Sequence, residues 1–505
     1  MELIEQCKNW NNDGEYEKVV DALEILPDSA RTPEMDSELA RAYNNLGNPG
    51  ERKLFLQALK LLKPHEEYFR GDHKYYFRMG YAYSYLDEDG LALHYFKKAM
   101  DARPGDEDSY EMMEICVDCL TNPRFEEDFS TRVFEMWKKV EADLGKLKRD
   151  DNYFDEAAKV VAEGIIGIFP KTSVNCFIND DRIKLELEAG DDKSHVFILE
   201  YIKDYIPGKL KGEFEIKVGT AFKKDLPELI EFEDEKYNIS HLKFFVTDDR
   251  NIIIYDKDGS YMPRQVIRQL FVNMFGEIDL MVNDFQIDLI RDCDFNIVES
   301  ASTDERKLPD RNTFLKECVD YKGLRDICFK KGFRLGVSAK EYLKMYSGYQ
   351  LQPGYCEDIR EDVYTGTTCF PSLISEYLSV GDFDKAPIMD ELHRNGIIAG
   401  FICFVPEKDA SWENTMEYEF EVVKLRDELI EHIMEDFRYR GRRRDIIFIE
   451  GATGVKYGYL DFLIFGGAGI IINSAQEFFK NKNVTFAAFK TFRKISGAVA
   501  LVSEE

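Results

Sequence analysis

The sequence predicts an α+β chain: an all-helical first part over residues 1–169, then a mixed region of strand-strand-helix-strand units. Three observations predict it. Apolar residues recur at helical spacing as far as Phe169, they alternate one by one after Pro170, and the order strand, strand, helix, strand then comes up three times. The expected divisions are 1–169, 170–300 and 301–505, which suits the roughly three domains that 505 residues allow.

The helical part is most regular in "DHKYYFRMGYAYSYLDEDGLALHYFKKAMDARPGD", Asp72 to Asp106. Gly80 and Ala92 are small enough for two antiparallel helices to approach closely. Tyr76, Tyr83 and Phe96 fill the space around them, and Pro104 stops the second helix. The pattern Tyr76, Gly80, Tyr83, Ala92, Phe96, Ala99, Pro104 resembles the tetratricopeptide repeat (TPR), a helix–turn–helix unit of about 34 residues. Leu39, Ala40, Tyr43, Gly47, Leu56 and Pro64 keep that spacing in a preceding copy, where Arg52 replaces the small residue of the second helix. Trp10, Gly14, Tyr16, Val19 and Leu23 suggest a first copy, and Tyr110, Met113 and Val117 a degenerate fourth. Two further helical patterns, "FSTRVFEMWKKVEADLGKL" and "NYFDEAAKVVAEGIIGIF", carry the helices to Phe169.

The resemblance implies a superhelix whose concave surface, lined by first helices, holds a protein partner. In the best copy Lys74, Phe77, Arg78, Tyr81 and Tyr85 are the candidate groove residues. Lys74 and Arg78, one turn apart, resemble half of the carboxylate clamp with which some such repeats hold a peptide C-terminus. Glu38 stands where the preceding copy would supply an asparagine, and its charge would repel a carboxylate, so a chaperone-tail binder is not expected.

In the mixed region, "NCFIND" and "RIKLELEA" read as strands, "HVFILEYIKDYI" as a helix and "GEFEIKVGTAF" as a strand. The order returns in "LKFFVTDD", "NIIIYDKD", "RQVIRQLFVNMFG" and "EIDLMVNDFQIDLI", and again in "DIIFIEG", "GYLDFLIF", "IINSAQEFFKN" and "VTFAAFKTF". Between them, "GIIAGFICFVP" is a strand and "EFEVVKLRDELIEHIMEDF" an amphipathic helix. The glycine-rich stretch Phe448 to Phe479 lacks both G-x-x-x-x-G-K-[ST] and G-x-G-x-x-G, so its glycines are expected to serve turns rather than a phosphate. "GATGVKYGYLDF", Gly451 to Phe462, resembles uncharacterised bacterial proteins that carry such repeats, some of which accompany polymorphic toxin systems.

Composition bounds the function. The net charge of −29, from 96 acids and 67 bases, argues against nucleic-acid binding and favours a basic protein partner. "MELIEQCKNW" does not read as a signal peptide, and the longest apolar run, Phe462 to Ile472, is too short for a membrane span. Ten scattered cysteines point to reduced thiols and a cytoplasmic location. Cys116 and Cys119 form a C-x-x-C without a second pair or nearby histidines, so apolar filling is expected there rather than metal. "DKDGSY", Asp256 to Tyr261, lacks the later ligands of a calcium loop. "RYRGRRRD", Arg438 to Asp445, follows a helix whose C-terminal end favours cations. "ELIEFEDE" and "EDIRED" read as solvated acidic faces. No catalytic residue, cofactor or metal is assigned. The expected function is a non-catalytic protein-binding scaffold, of immunity or regulatory type, with an enzyme of the C-terminal α+β region as the alternative.

Overall fold

The computed structural model describes residues 2–179, 182–257, 259, 262–291, 310–353, 358–407 and 415–502. Among these residues helices take up 48% and strands 18%, the strands lying in several small sheets, so the chain is mixed as predicted. It forms two compact units, one of Met1–Arg132 with Tyr346–Glu505 and one of Val133–Met345.

The first unit begins with α1 (Glu2–Asn12), α2 (Tyr16–Glu24), α3 (Pro33–Leu46), α4 (Arg52–Leu62), α5 (His73–Ser84), α6 (Asp89–Ala102) and α7 (Glu107–Thr121). Each helix packs on the next, and α1, α3, α5 and α7 also pack in succession. Their starts are written in the sequence. Thr32 Oγ1 accepts from Met35 N at 3.3 Å with Pro33 in the first turn, Asp72 accepts from Tyr75 N at 2.7 Å, and Asp106 accepts from Ser109 N at 3.0 Å. The expected close approach of α5 and α6 is present: a Cβ at Gly80 would lie 2.8 Å from the Phe96 ring. Ala92 and Phe96 are fully buried in the same core.

The second unit holds most of α8 (Phe129–Leu144), then α9 (Tyr153–Ile168), β1 (Val174–Asn179), β2 (Arg182–Leu187), α10 (Lys193–Asp204) and β3 (Phe214–Val218). There follow β4 (Leu229–Phe232), β5 (Glu235–Asn238), β6 (Lys243–Val246), β7 (Ile252–Asp256), α11 (Arg264–Phe275), α12 (Glu277–Asn283), β8 (Ile287–Arg291), α13 (Arg311–Glu317), α14 (Leu324–Lys330) and α15 (Ala339–Tyr342). The first two predicted strand-strand-helix-strand units share one topology, with the correction that the first half of "EIDLMVNDFQIDLI" is the helix α12 and only Ile287–Arg291 is strand. β1 pairs antiparallel with β2 and β2 parallel with β3, while β6 pairs antiparallel with β7 and β7 parallel with β8. The boundary expected at 169 marks where helix gives way to strand and lies inside this compact unit: α9 packs on β1 and β2, and Trp137 Nε1 on α8 donates to Ile202 O on α10 at 2.9 Å. The boundary expected at 300 lies outside the described residues. "ELIEFEDE" is the β4–β5 hairpin, its acids exposed as expected, with Glu233 and Asp234 at φ 49° and 63° in the two-residue turn.

The chain then returns to the first unit with β9 (Ser347–Gln350), β10 (Val363–Thr368), α16 (Pro371–Ser379), α17 (Pro387–Arg394), β11 (Ile398–Pro406), α18 (Thr415–Tyr439), β12 (Ile446–Gly454), β13 (Gly458–Ile464), α19 (Gly469–Phe479), β14 (Val484–Thr491) and β15 (Val499–Ala500). One sheet runs β15-β14-β11-β13-β12-β10-β9, with every neighbouring pair antiparallel. Ile402 and Phe404 of β11, Leu460 and Phe462 of β13, and Phe489 of β14 form one core with Val422, Leu429, Ile433 and Phe437 of α18. The third predicted unit is present in order but not in pairing: β14 pairs with β11, which lies between it and β13. The reason is β11 itself. It is apolar at almost every position, so it gains most from a central place where both faces are covered.

The glycine-rich stretch therefore runs from within β12 through a tight turn and β13 to the end of α19. Gly454 serves close approach, since a Cβ there would lie 2.1 Å from Asp362 Oδ2. Gly467, between β13 and α19, takes φ +33°.

Candidate functional site

The groove residues expected from the sequence fall on α5, and the helical period sorts them into three kinds. His73, Phe77, Tyr81 and Tyr85 repeat every four residues and make one row of rings, with centroids 6.3, 6.3 and 4.7 Å apart. Tyr85 stacks on Phe55 of α4 at 4.8 Å, and Phe77 meets Phe96 of α6 edge-on at 5.5 Å. Phe77, Tyr81 and Tyr85 are half-buried, each keeping part of its surface in solvent. Burial pushes the Tyr81 hydroxyl well above its ordinary range, so that ring stays uncharged at neutral pH. Lys74 is exposed.

Arg78 is of the third kind, and the expectation of a groove cation is corrected here. It is 9% exposed. Its Nη2 donates to Glu38 Oε1 at 2.8 Å and its Nη1 to Ser37 O at 3.0 Å. Glu38 Oε2 accepts from Asn11 Nδ2 at 2.7 Å, and Arg78 O accepts from Asn44 Nδ2 at 3.0 Å. A polar spine thus ties α1, α3 and α5 together. Glu38, read from the sequence as a repelling charge, instead neutralises Arg78.

The face of α6 is closed by the chain itself. His94 Nδ1 lies 2.9 Å from Phe383 O. His393 Nε2 on α17 lies 3.0 Å from Asp89 Oδ2, Arg394 Nε lies 2.9 Å from Glu88 Oε2, and Arg493 Nη2 donates to Asp390 Oδ1 at 2.5 Å. Thr491 Oγ1 donates to Leu120 O on α7 at 2.8 Å. Parts of the α6 and α7 surfaces are therefore internal, while the ring row of α5 keeps solvent access.

A second constellation was missed. Within "EDIRED", read as a solvated acidic face, Arg360 is 2% exposed and Asp362 fully buried. Arg360 Nη1 and Nη2 donate to Asp461 Oδ1 and Oδ2 at 2.5 and 2.7 Å, beneath the rings of Phe401, Tyr459 and Phe492 at 5.1, 5.1 and 4.9 Å. Asp362 Oδ2 accepts from Lys456 N at 2.8 Å and Tyr457 N at 2.9 Å, and Asp362 Oδ1 accepts from the Tyr459 hydroxyl. Asp461 keeps the Arg360 guanidinium charged against its burial. Both acids spend their lone pairs on partners within the fold, so the arrangement holds β10, β12 and β13 together and offers no free base. Its one signal in the sequence is Asp461, a lone charge inside the apolar strand "GYLDFLIF".

Several residues of the remaining motifs are buried or paired. Burial raises the Cys116 thiol far above its ordinary range and pushes Cys119 up to about 12, so neither is a nucleophile at neutral pH. Arg440 pairs with Asp436 one turn back at 2.9 Å, and Arg442 pairs with Asp445 at 2.7 Å. In "DKDGSY", Asp258, Ser260 and Tyr261 lie outside the described residues. Among the described residues no three His, Cys, Asp or Glu side chains are grouped as metal ligands would be. No helix among them is long and apolar enough to cross a membrane. No family model, curated protein or solved structure matches the chain.

Proposed function

We propose that α1–α7 are TPR-like repeats and that the chain is a protein-binding scaffold whose contact surface is the ring row of α5. The observation that carries this reading is the half-exposed run Phe77, Tyr81, Tyr85, flanked by exposed Lys74, on a helix whose other side is core. Rings presented at one-turn spacing accept the guanidinium and ammonium groups of a basic partner through cation–π contacts. The net charge of −29 steers such a partner in, so its on-rate falls as ionic strength rises. A regulatory or immunity-type role in the cytoplasm is part of the proposal, in keeping with reduced cysteines among the described residues.

The test is capture from the native lysate by the wild type, by Tyr81→Ser/Tyr85→Ser and by Lys74→Glu, each checked for folding by circular dichroism. A partner retained by the wild type, lost by about tenfold or more from the tyrosine variant and held more tightly by Lys74→Glu fits the proposal. Equal capture by all three overturns the site. A partner weakened by Lys74→Glu overturns its basic character.

A further inference from the structure

The second unit contains a half-open cleft of about 400 Å³. Its walls are the turn after β3, the corner between α11 and α12, and the segment leading into α15. Two glycines let the first two walls cross. At Gly219, φ is +83° and a Cβ would lie 2.7 Å from Ile278; at Gly276, φ is +86° and a Cβ would lie 3.0 Å from Thr220 O. Left-handed backbone and close contact at one position together require glycine.

The crossing is fixed by two acids. Glu277 accepts from Ala189 N at 3.0 Å, Gly190 N at 3.3 Å and Thr220 N at 2.9 Å. Asp279 accepts from Gly336 N at 2.8 Å and Val337 N at 3.0 Å. Both carboxylates are therefore committed to the walls. Phe222 stands at the mouth, 40% exposed, held by the Arg325 guanidinium at 4.1 Å from its ring centroid. Phe275, Ile278 and Val337 make the apolar lining.

What remains is one unpaired cation and one carboxylate oxygen without a donor. Lys217, exposed on β3, lines the cleft and forms no ion pair among the described residues. Glu200, also lining it, is 5% exposed; Oε1 accepts from Lys203 Nζ at 2.8 Å, while Oε2 has no partner. A buried carboxylate oxygen short of a donor is costly, and a ligand that brings one recovers that cost. A simple anion would satisfy Lys217 and leave Glu200 wanting; a simple cation would do the reverse among three lysines, Lys203, Lys217 and Lys340.

We infer that this cleft binds a small zwitterion with an apolar side chain, the chemistry of an apolar α-amino acid. The ligand carboxylate meets Lys217, its ammonium supplies Glu200, and its side chain lies along Phe222, Phe275 and Val337. The volume is within the range of roughly 300–1,000 Å³ usual for small-ligand sites. This inference concerns the second unit alone and stands apart from the protein-binding reading.

Calorimetry on the full chain tests it with L-phenylalanine, L-leucine, 3-phenylpropanoate and 2-phenylethylamine. Binding of the amino acids is expected, with the two fragments, each lacking one charge, weaker by about tenfold or more. Glu200→Gln should weaken L-phenylalanine by about tenfold and leave 3-phenylpropanoate unchanged; Lys217→Ala should weaken both. Lys217 is exposed, so that variant keeps the test valid if Glu200→Gln fails to fold. No heat with either amino acid overturns the inference. So does 3-phenylpropanoate binding as tightly as L-phenylalanine, or an unaltered affinity in Lys217→Ala.

Discussion

Glu38 and Glu88 are 7% and 8% exposed, and an arginine nitrogen lies within 2.9 Å of each, yet their surroundings push them in opposite directions. Burial alone would raise both. At Glu38 the charge of Arg78 and the amide of Asn11 outweigh it and hold the carboxyl below its ordinary value. At Glu88 burial wins over Arg394 and Lys63, and the carboxyl is raised. The difference lies in bonding as well as distance. Each Glu38 oxygen takes a side-chain donor. Glu88 Oε2 is close to Arg394 Nε but takes no hydrogen bond, and Arg394 also serves Glu391 at 2.9 Å. A nearby opposite charge compensates burial when its hydrogen bonds are aligned as well.

The Arg360–Asp461 pair is the extreme of the Glu38 kind, and breaking it should give the largest effect. Arg360→Met leaves Asp461, fully buried, without its cation, and should lower unfolding stability by about 3–5 kcal/mol. Arg360→Met/Asp461→Leu should recover most of that loss, because two matched apolar residues leave no charge behind. Urea unfolding of the three proteins checks both. A single variant no less stable than the wild type would remove the bonding argument.

The next step compares the two glutamates through their partners. Arg78→Met strips Glu38 of its charge partner and should cost about 2–3 kcal/mol. Glu88→Gln removes a carboxyl that burial already disfavours, and should change stability by less than about 1 kcal/mol. Equal losses in the two variants would mean that distance alone decides.

These pairs also mark where the sequence stopped speaking. Local rules reached the helix pair around Gly80, Ala92 and Phe96, because it is decided within one helix–turn–helix stretch of chain. Arg78 was singled out, but as a free cation; that Ser37 and Glu38 meet it depends on the stacking of α3 on α5. The closing of α6 joins Asp89 to His393 across 304 residues, which no local pattern encodes. The apolar run "GYLDFLIF" found β13, but the pairing of β14 with β11 is settled by competition among strands for a place covered on both faces. The cleft of the second unit escaped for the same reason. Gly219 falls inside the predicted strand "GEFEIKVGTAF" and Gly276 at the end of the predicted helix "RQVIRQLFVNMFG", and the side chains between them come from four separate stretches.

The smallest effect, and the sharpest contrast, is in the pH dependence. Glu38 titrates below its ordinary value of 4.5 in the folded chain, so its stabilisation is complete above that value and is lost as pH falls through the folded pKa. Glu88 titrates above it, so its contribution is complete below 4.5 and is lost as pH rises through the folded pKa. Glu38→Gln should therefore melt lower than the wild type at pH 7, with the deficit shrinking as pH falls below 4.5. Glu88→Gln should run the other way: level with or slightly above the wild type at pH 7, and falling behind it in acid, where the protonated wild-type carboxyl is the better fit to its site. Calorimetric melting temperatures of the three proteins from pH 7 to pH 4 give two difference curves, and their slopes must have opposite signs. Parallel slopes would place both carboxylates in the same electrostatic regime and leave Asn11 without the role assigned to it.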